Sequence, residues 1–196
     1  MPLNLPNLLT WLRIVFIPLF VGIFYFPESW VSYPYQNLVA TVIFSLAAIT
    51  DWFDGWLART LNQTSAFGAF LDPVADKLMV AAALLVLLKL ARVDALIVLI
   101  IIGREITVSA LREWMAKIGG SKSVAVSLLG KIKTAAQMIS IPMLLYSDRI
   151  GEFDPSFVGT LLIEVAAFLT ILSMMYYLKA ALPHAIRESD TNRGAP

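Results

Sequence analysis

Six long apolar stretches alternate with short polar punctuation along this chain, at approximately Leu5–Phe26, Asn37–Trp56, Asp72–Leu90, Ala95–Lys117, Ser123–Tyr146 and Pro155–Leu182. Each approaches the roughly 20 residues that a helix needs to cross a bilayer. Turn formers separate them: Phe26-Pro27-Glu28 and Tyr33-Pro34, Asn62-Gln63-Thr64-Ser65, Arg92-Val93-Asp94, Gly119-Gly120-Ser121, and the run from Ser147 to Pro155. The pattern predicts an all-α integral membrane protein of six transmembrane helices, one domain over residues 1–182 with a polar, frayed tail over 183–196. Asn4-Leu5-Pro6-Asn7 suits an interfacial turn at the start of the first helix. That helix is expected to be retained, because Arg13 lies inside it, no basic stretch precedes it, and it ends at Phe26-Pro27 without a small-residue cleavage pattern.

Composition agrees with the pattern. Of 196 residues, 59% are apolar and only 15% are charged, with a mean hydropathy of +0.77, whereas a soluble domain is about 25% charged. Disorder, a collagenous repeat and a disulfide scaffold are excluded, since there is no cysteine and only 10 Gly and 10 Pro. The net charge of +1 says little as a sum. Its distribution says more. Six spans put both ends on one side, and 12 of the 15 basic residues fall on the side of the termini, leaving Lys89, Arg92 and Arg149 for the other. The positive-inside rule then places both termini in the cytoplasm. Trp11, Trp52, Trp56 and Trp114 gather toward that side as an interfacial belt would.

Charge-free runs are short for a plain six-span protein: 11 residues between Lys77 and Lys89, nine between Asp94 and Arg104, fourteen between Lys133 and Asp148. Ionisable groups inside spans are expected to face the bundle interior or a wet cavity. The simplest arrangement is a polar chamber open to the cytoplasm and lined by four or five helices.

The densest chemistry lies between Asp51 and Asp76. Asp51 and Asp54 are spaced i, i+3 and Asp72 and Asp76 i, i+4, so each pair shares one helix face. Any one of the four reads equally well as an interfacial cap, but four at these spacings, with Gly55, Ala58, Arg59 and Gly68 between them, do not. Four facing carboxylates repel one another unless cations balance them. Hard oxygen ligands, no cysteine and a single His favour Mg²⁺, Mn²⁺ or Ca²⁺ over zinc. Two divalent ions would bring the cluster near neutrality, and two-metal sites commonly serve in-line phosphoryl displacement. Gly55 and Ala58 would let a bulky ligand approach the backbone, and Arg59 offers a planar fork to a diphosphate.

The spacing D-x2-D-G-x2-A-R-x8-G-x3-D-x3-D over Asp51–Asp76 resembles the signature of the CDP-alcohol phosphatidyltransferases at every position. Leu5-Pro6-Asn7-Leu8-Leu9-Thr10 followed by Arg13, the run Ala66 to Lys77, Arg104-Glu105-Ile106, Ala110-Leu111-Arg112-Glu113-Trp114 and Gly130-Lys131-Ile132-Lys133-Thr134 resemble the branch of that family that uses glycerol 3-phosphate. The resemblance extends to about Leu182. It implies an amphipathic N-terminal start, six transmembrane helices and a homodimer in a lipid bilayer. It also implies a reaction in which CDP-diacylglycerol transfers its phosphatidyl group to glycerol 3-phosphate and releases CMP. Asp51, Asp54 and Asp72 would ligate metal, Mg²⁺ or Mn²⁺, with Asp76 as base and partial ligand. Gly55, Ala58, Arg59 and Gly68 would hold the cytidine diphosphate alongside Asp51 and Asp54, with Asn7 and Thr10 closing over the nucleotide.

A second phosphate requires further cations. Arg104 and Arg112, eight residues apart, stand about 80° apart around a helix and can line one wall. Lys131 and Lys133 point nearly opposite ways, so one of them is expected to reach the same pocket, and the resemblance favours Lys131. Arg104 lies mid-helix beside Glu105, where snorkelling to the headgroups does not explain it; Lys117 and Lys122, beside Gly119-Gly120, read as anchors. Glu164 and His184 receive no role. Inositol phosphate or serine is the same-class alternative acceptor. A divalent-cation transporter is the alternative from another class, and it predicts acids along both membrane halves, whereas here they cluster on one side.

Overall fold

The computed structural model describes the backbone of residues 5–61, 66–117 and 128–193, and side chains for residues 8–51, 68, 70–115 and 130–179. It contains α1 (Leu5–Gly22) with a 3₁₀ turn (Ile23–Tyr25), α2 (Tyr33–Leu61), α3 (Ala66–Lys89), α4 (Ala95–Lys117), α5 (Leu128–Tyr146) and α6 (Pro155–Arg193). Among the described residues no strand occurs beyond an isolated Ile150–Phe153 bridge.

Helix boundaries depart from hydropathy where charge enters a helix without ending it. α2 continues past Trp56 to Leu61 and carries Asp51, Asp54 and Arg59 within it, and α3 begins six residues before Asp72. α6 runs beyond Leu182 to Arg193, so the expected frayed tail is largely helical. A drop in hydropathy marks where apolar solvation ends, not where backbone hydrogen bonding does. Leu8–Tyr25 and Pro155–Lys179 are long and apolar enough to cross a membrane. Those windows are only 22% and 33% buried, unlike a soluble protein's core helices. Leu99, Ile106, Phe157 and Phe168 are likewise exposed, as suits side chains solvated by lipid.

The chain divides into two compact units. The first comprises Met1–Asp94 and Met138–Leu162. There α1 packs on both α2 and α3. Phe20 of α1 meets Phe44 of α2 with ring centroids 6.4 Å apart. Ala40 and Ala47 of α2 and Ala75 and Ala83 of α3 are almost wholly buried, which permits close helix approach. Arg92, in the α3–α4 connection, ties three elements together: it donates to the Leu144 and Leu145 carbonyls of α5 and to Asn37 Oδ1 of α2. Burial pulls its guanidinium below its usual pKa, with Asp148 opposing. At the start of α6 Asp154 is an N-cap, its Oδ1 accepting from the Phe157 N–H at 3.2 Å with Pro155 in the first helical position.

The second unit comprises Ala95–Gln137 and Ile163–Pro196. α4 buries Val98, Ile101, Arg104, Val108 and Met115 along one stripe. α6 buries Ile163, Ala166, Thr170, Ser173 and Tyr177, a 3-4 spacing. Thr170 and Ser173 donate to carbonyls of their own helix, so these hydroxyls need no other partner. Arg104 is the charged member at the middle of the α4 stripe, and Tyr177 closes the α6 stripe.

Candidate active site

In the first unit Asp51, Asp72 and Asp76 turn toward α1. Arg13 is 2% exposed and donates through Nη1 to Asp51 Oδ1 at 2.7 Å, while the Asp51 side chain remains 43% exposed. Burying a guanidinium in an apolar bundle is costly unless a carboxylate answers it. One helical turn earlier on α1, the Thr10 hydroxyl, itself buried, donates to Asp72 Oδ1. Thr10 and Arg13 are spaced i, i+3 and so share a face. That face draws the first carboxylate of α2 and the first of α3 to a common support. Asp76, one turn beyond Asp72, lines a small recess with Arg13, Phe44, Ala47 and Met79. Pro73 removes one intrahelical hydrogen bond immediately after Asp72.

Asp51 and Asp72 are thus brought to one helix face, and Asp76 shares a recess with Arg13. Among the described residues these acids do not close into a ligand cluster of three or more. Gly68 is buried within α3. Asn7, Asp54, Gly55, Ala58 and Arg59 belong to α1 and α2, and their side chains lie outside the described residues. Lys117 and His184 belong to α4 and α6, their side chains likewise outside them, and Lys122 lies outside them altogether. What is described fits a hard divalent cation: carboxylate oxygens on two helices, one already partnered by a buried arginine and another by a hydroxyl.

The second unit holds the basic residues. Glu105 Oε1 accepts from Arg104 Nη1 at 2.9 Å and from Lys133 Nζ at 2.5 Å. Lys133 is 1% exposed and Arg104 8%. Lys131, two residues from Lys133, faces outward. Of the two lysines it is Lys133 that packs with Arg104, because α5 turns it toward α4 and Glu105 offers the counter-charge that burial demands. Arg112 is exposed, and its Nη2 donates to the Tyr177 hydroxyl at 3.1 Å. The Tyr177 ring lies near both guanidiniums, 5.8 Å from Arg104 Cζ and 5.3 Å from Arg112 Cζ. Buried Arg104 Nε has no hydrogen-bond partner among the described residues, so the cluster keeps a donor in hand. Three cations against Glu105 leave a formal charge of +2, which complements a phosphate monoester dianion.

Sequence reasoning missed four of these roles. Thr10 and Arg13 carried a signal, two polar residues at i, i+3 in an apolar helix. Glu105 carried one as well, a lone acid beside a mid-helix arginine. Tyr177 carried none, since the Tyr176-Tyr177 pair does not say which ring turns inward.

A family model described as CDP-alcohol phosphatidyltransferase matches residues 3–177. Three bacterial proteins, from Escherichia coli (strain K12), Salmonella typhimurium and Shigella flexneri, are each 48% identical over 183 residues, which is 92% of this chain and 96% of theirs. All three bear the name CDP-diacylglycerol--glycerol-3-phosphate 3-phosphatidyltransferase.

Proposed function

The chain belongs to the CDP-alcohol phosphatidyltransferase family, and on that premise we propose that it transfers the phosphatidyl group of CDP-diacylglycerol to sn-glycerol 3-phosphate. The observation that carries the choice of acceptor is the +2 cluster of Arg104, Arg112 and Lys133 around Glu105. Serine, lacking a phosphate, would leave those charges unanswered. The names of the relatives favour glycerol 3-phosphate over inositol phosphate.

The acceptor phosphate binds the second unit's cations, which hold the glycerol by its charged end and leave its hydroxyl free to react. That hydroxyl attacks the β-phosphorus of CDP-diacylglycerol; the new phosphorus–oxygen bond forms as the bond to the CMP oxygen breaks, and Asp76 takes the hydroxyl proton. Thr10 and Arg13 hold Asp72 and Asp51 in place before substrate arrives. Arg59, with Gly55, Ala58, Gly68 and Asn7, accommodates the cytidine diphosphate. The family is generally dependent on divalent cations, and Asp51, Asp54, Asp72 and Asp76 would hold one or two such ions, Mg²⁺ or Mn²⁺. An ion held there would supply positive charge against the carboxylates and the diphosphate as CMP leaves. We place the chain in a bacterial inner membrane as a multi-pass homodimer with both termini cytoplasmic, on the 12-to-3 division of basic residues and the exposed apolar helix faces.

Purified protein given CDP-diacylglycerol and Mg²⁺ should release CMP with glycerol 3-phosphate and not with serine or inositol phosphate. The reverse preference would refute this acceptor. Metal flux in proteoliposomes without lipid nucleotide would refute the enzyme reading itself.

A further inference from the structure

We infer that Tyr177 is a positioning residue of the acceptor-phosphate site, fixing the spread of Arg104 and Arg112; the inference rests on the reading of that cluster as the place where the acceptor phosphate binds. Arg104 and Arg112 leave α4 at different angles, and Arg112 is exposed. An unsupported exposed arginine samples many rotamers, and ordering it on binding costs entropy. Tyr177 removes that freedom by two contacts at once. Its hydroxyl accepts from Arg112 Nη2 at 3.1 Å, and its ring lies near both guanidiniums at 5.3 and 5.8 Å. The ring is itself packed in place: Tyr177 is 2% exposed, closes the buried stripe of α6, and meets Tyr176 edge-on at 6.3 Å. A buried aromatic side chain with two torsions is a stiffer support than another long cation would be. Glu105 holds Arg104 and Lys133 from one direction, and Tyr177 holds Arg104 and Arg112 from another. Arg104 therefore has two supports, while Arg112 is tied to the cluster through Tyr177.

Steady-state kinetics of the full-length purified protein test this. Tyr177→Phe keeps the ring and loses the hydroxyl, and it should raise KM for glycerol 3-phosphate about three- to tenfold, the loss of one hydrogen bond. Tyr177→Leu loses the ring as well and should raise it further, by about tenfold or more. In both variants kcat and KM for CDP-diacylglycerol should stay within about twofold of the parent. In an Arg112→Ala background Tyr177→Phe should add nothing, because the hydrogen bond is already gone. If both Tyr177 variants leave KM for glycerol 3-phosphate unchanged while Arg112→Ala raises it, the inference falls and the acceptor site stands. If Arg112→Ala itself leaves that KM unchanged, the acceptor-site reading has failed and the inference with it. A fall in kcat and a rise in both KM values together with a lowered melting temperature would make Tyr177 merely structural, and would also overturn it.

Discussion

The aspartate face of the first unit and the basic cluster of the second solve the same problem with opposite signs. Each gathers several like charges on an apolar bundle, and each uses a minority of opposite or neutral polar groups to hold them. On the acidic side Arg13 and Thr10, from a different helix, support Asp51 and Asp72. On the basic side Glu105 is adjacent in sequence to one of the cations it holds, and Tyr177 supplies a ring and a hydroxyl rather than a charge. The support is incomplete in both, so each region retains charge for a ligand: negative for a metal, positive for a phosphate. Like charges in such surroundings persist only where a ligand repays their mutual repulsion.

The sharpest way to break this contrast is at Asp76. Asp76→Asn should reduce CMP release by about 10²–10⁴-fold, the range for losing a general base, while melting temperature stays near that of the parent. Near-normal turnover would deny Asp76 the proton.

Next in size is the brace of the basic cluster. Glu105→Gln leaves Lys133 buried without its counter-charge and should destabilise the protein by about 3 kcal/mol. Adding Lys133→Met should restore most of the loss, since an apolar side chain of similar length needs no counter-ion. Thermal unfolding in detergent reads both, and equal losses in the single and double variants would show that Glu105 does not act through Lys133.

Ligands should separate the two regions. Mg²⁺ at about ten times its Kd should add about 1.4 kcal/mol to the parent, and to Arg112→Ala, but not to Asp72→Asn. Inorganic phosphate should stabilise the parent and Asp72→Asn but not Arg112→Ala. A variant that loses both responses would erase the division between an acidic and a basic region.

The smallest effect is a control outside both. Hydrogen bonding to the Phe157 N–H, with Arg149 adding attraction, holds Asp154 below the ordinary carboxylate value of 3.8. Because the folded-state value is the lower one, the contribution of this cap is fully present above the unfolded value and fades as pH falls through the folded one. The parent should therefore lose a little stability below about pH 4 that Asp154→Asn does not lose. The Asn variant keeps a capping oxygen. Identical acid profiles would remove the charge of Asp154 from the account.

Much of this architecture was legible in advance. The six apolar stretches anticipated the six α-helices of the described residues, and Ala95–Lys117 matched α4 to the residue. The boundaries of α2 and α6 were not legible, because Asp54, Arg59 and the residues after Leu182 continue a helix while ending an apolar run. The carboxylate spacing within α2 and α3 identified candidate ligands, since i, i+3 and i, i+4 are properties of one helix and need no knowledge of its neighbours. The choice between Lys131 and Lys133 was different. Both lie on α5, and only the rotation of that helix against α4 turns Lys133 toward Glu105.

Sequence alone determined the class of this protein: its helices, the family signature and the spacing of the four aspartates. These are local or additive properties, written in spacing and composition. Tertiary structure decided which polar residue answers which: Arg13 to Asp51, Thr10 to Asp72, Lys133 to Glu105, Arg112 to Tyr177. Such pairings depend on helix rotation and depth. In an apolar bundle those are set by the shapes of Phe20, Phe44, Ala75 and their neighbours, and no spacing along a single helix encodes them.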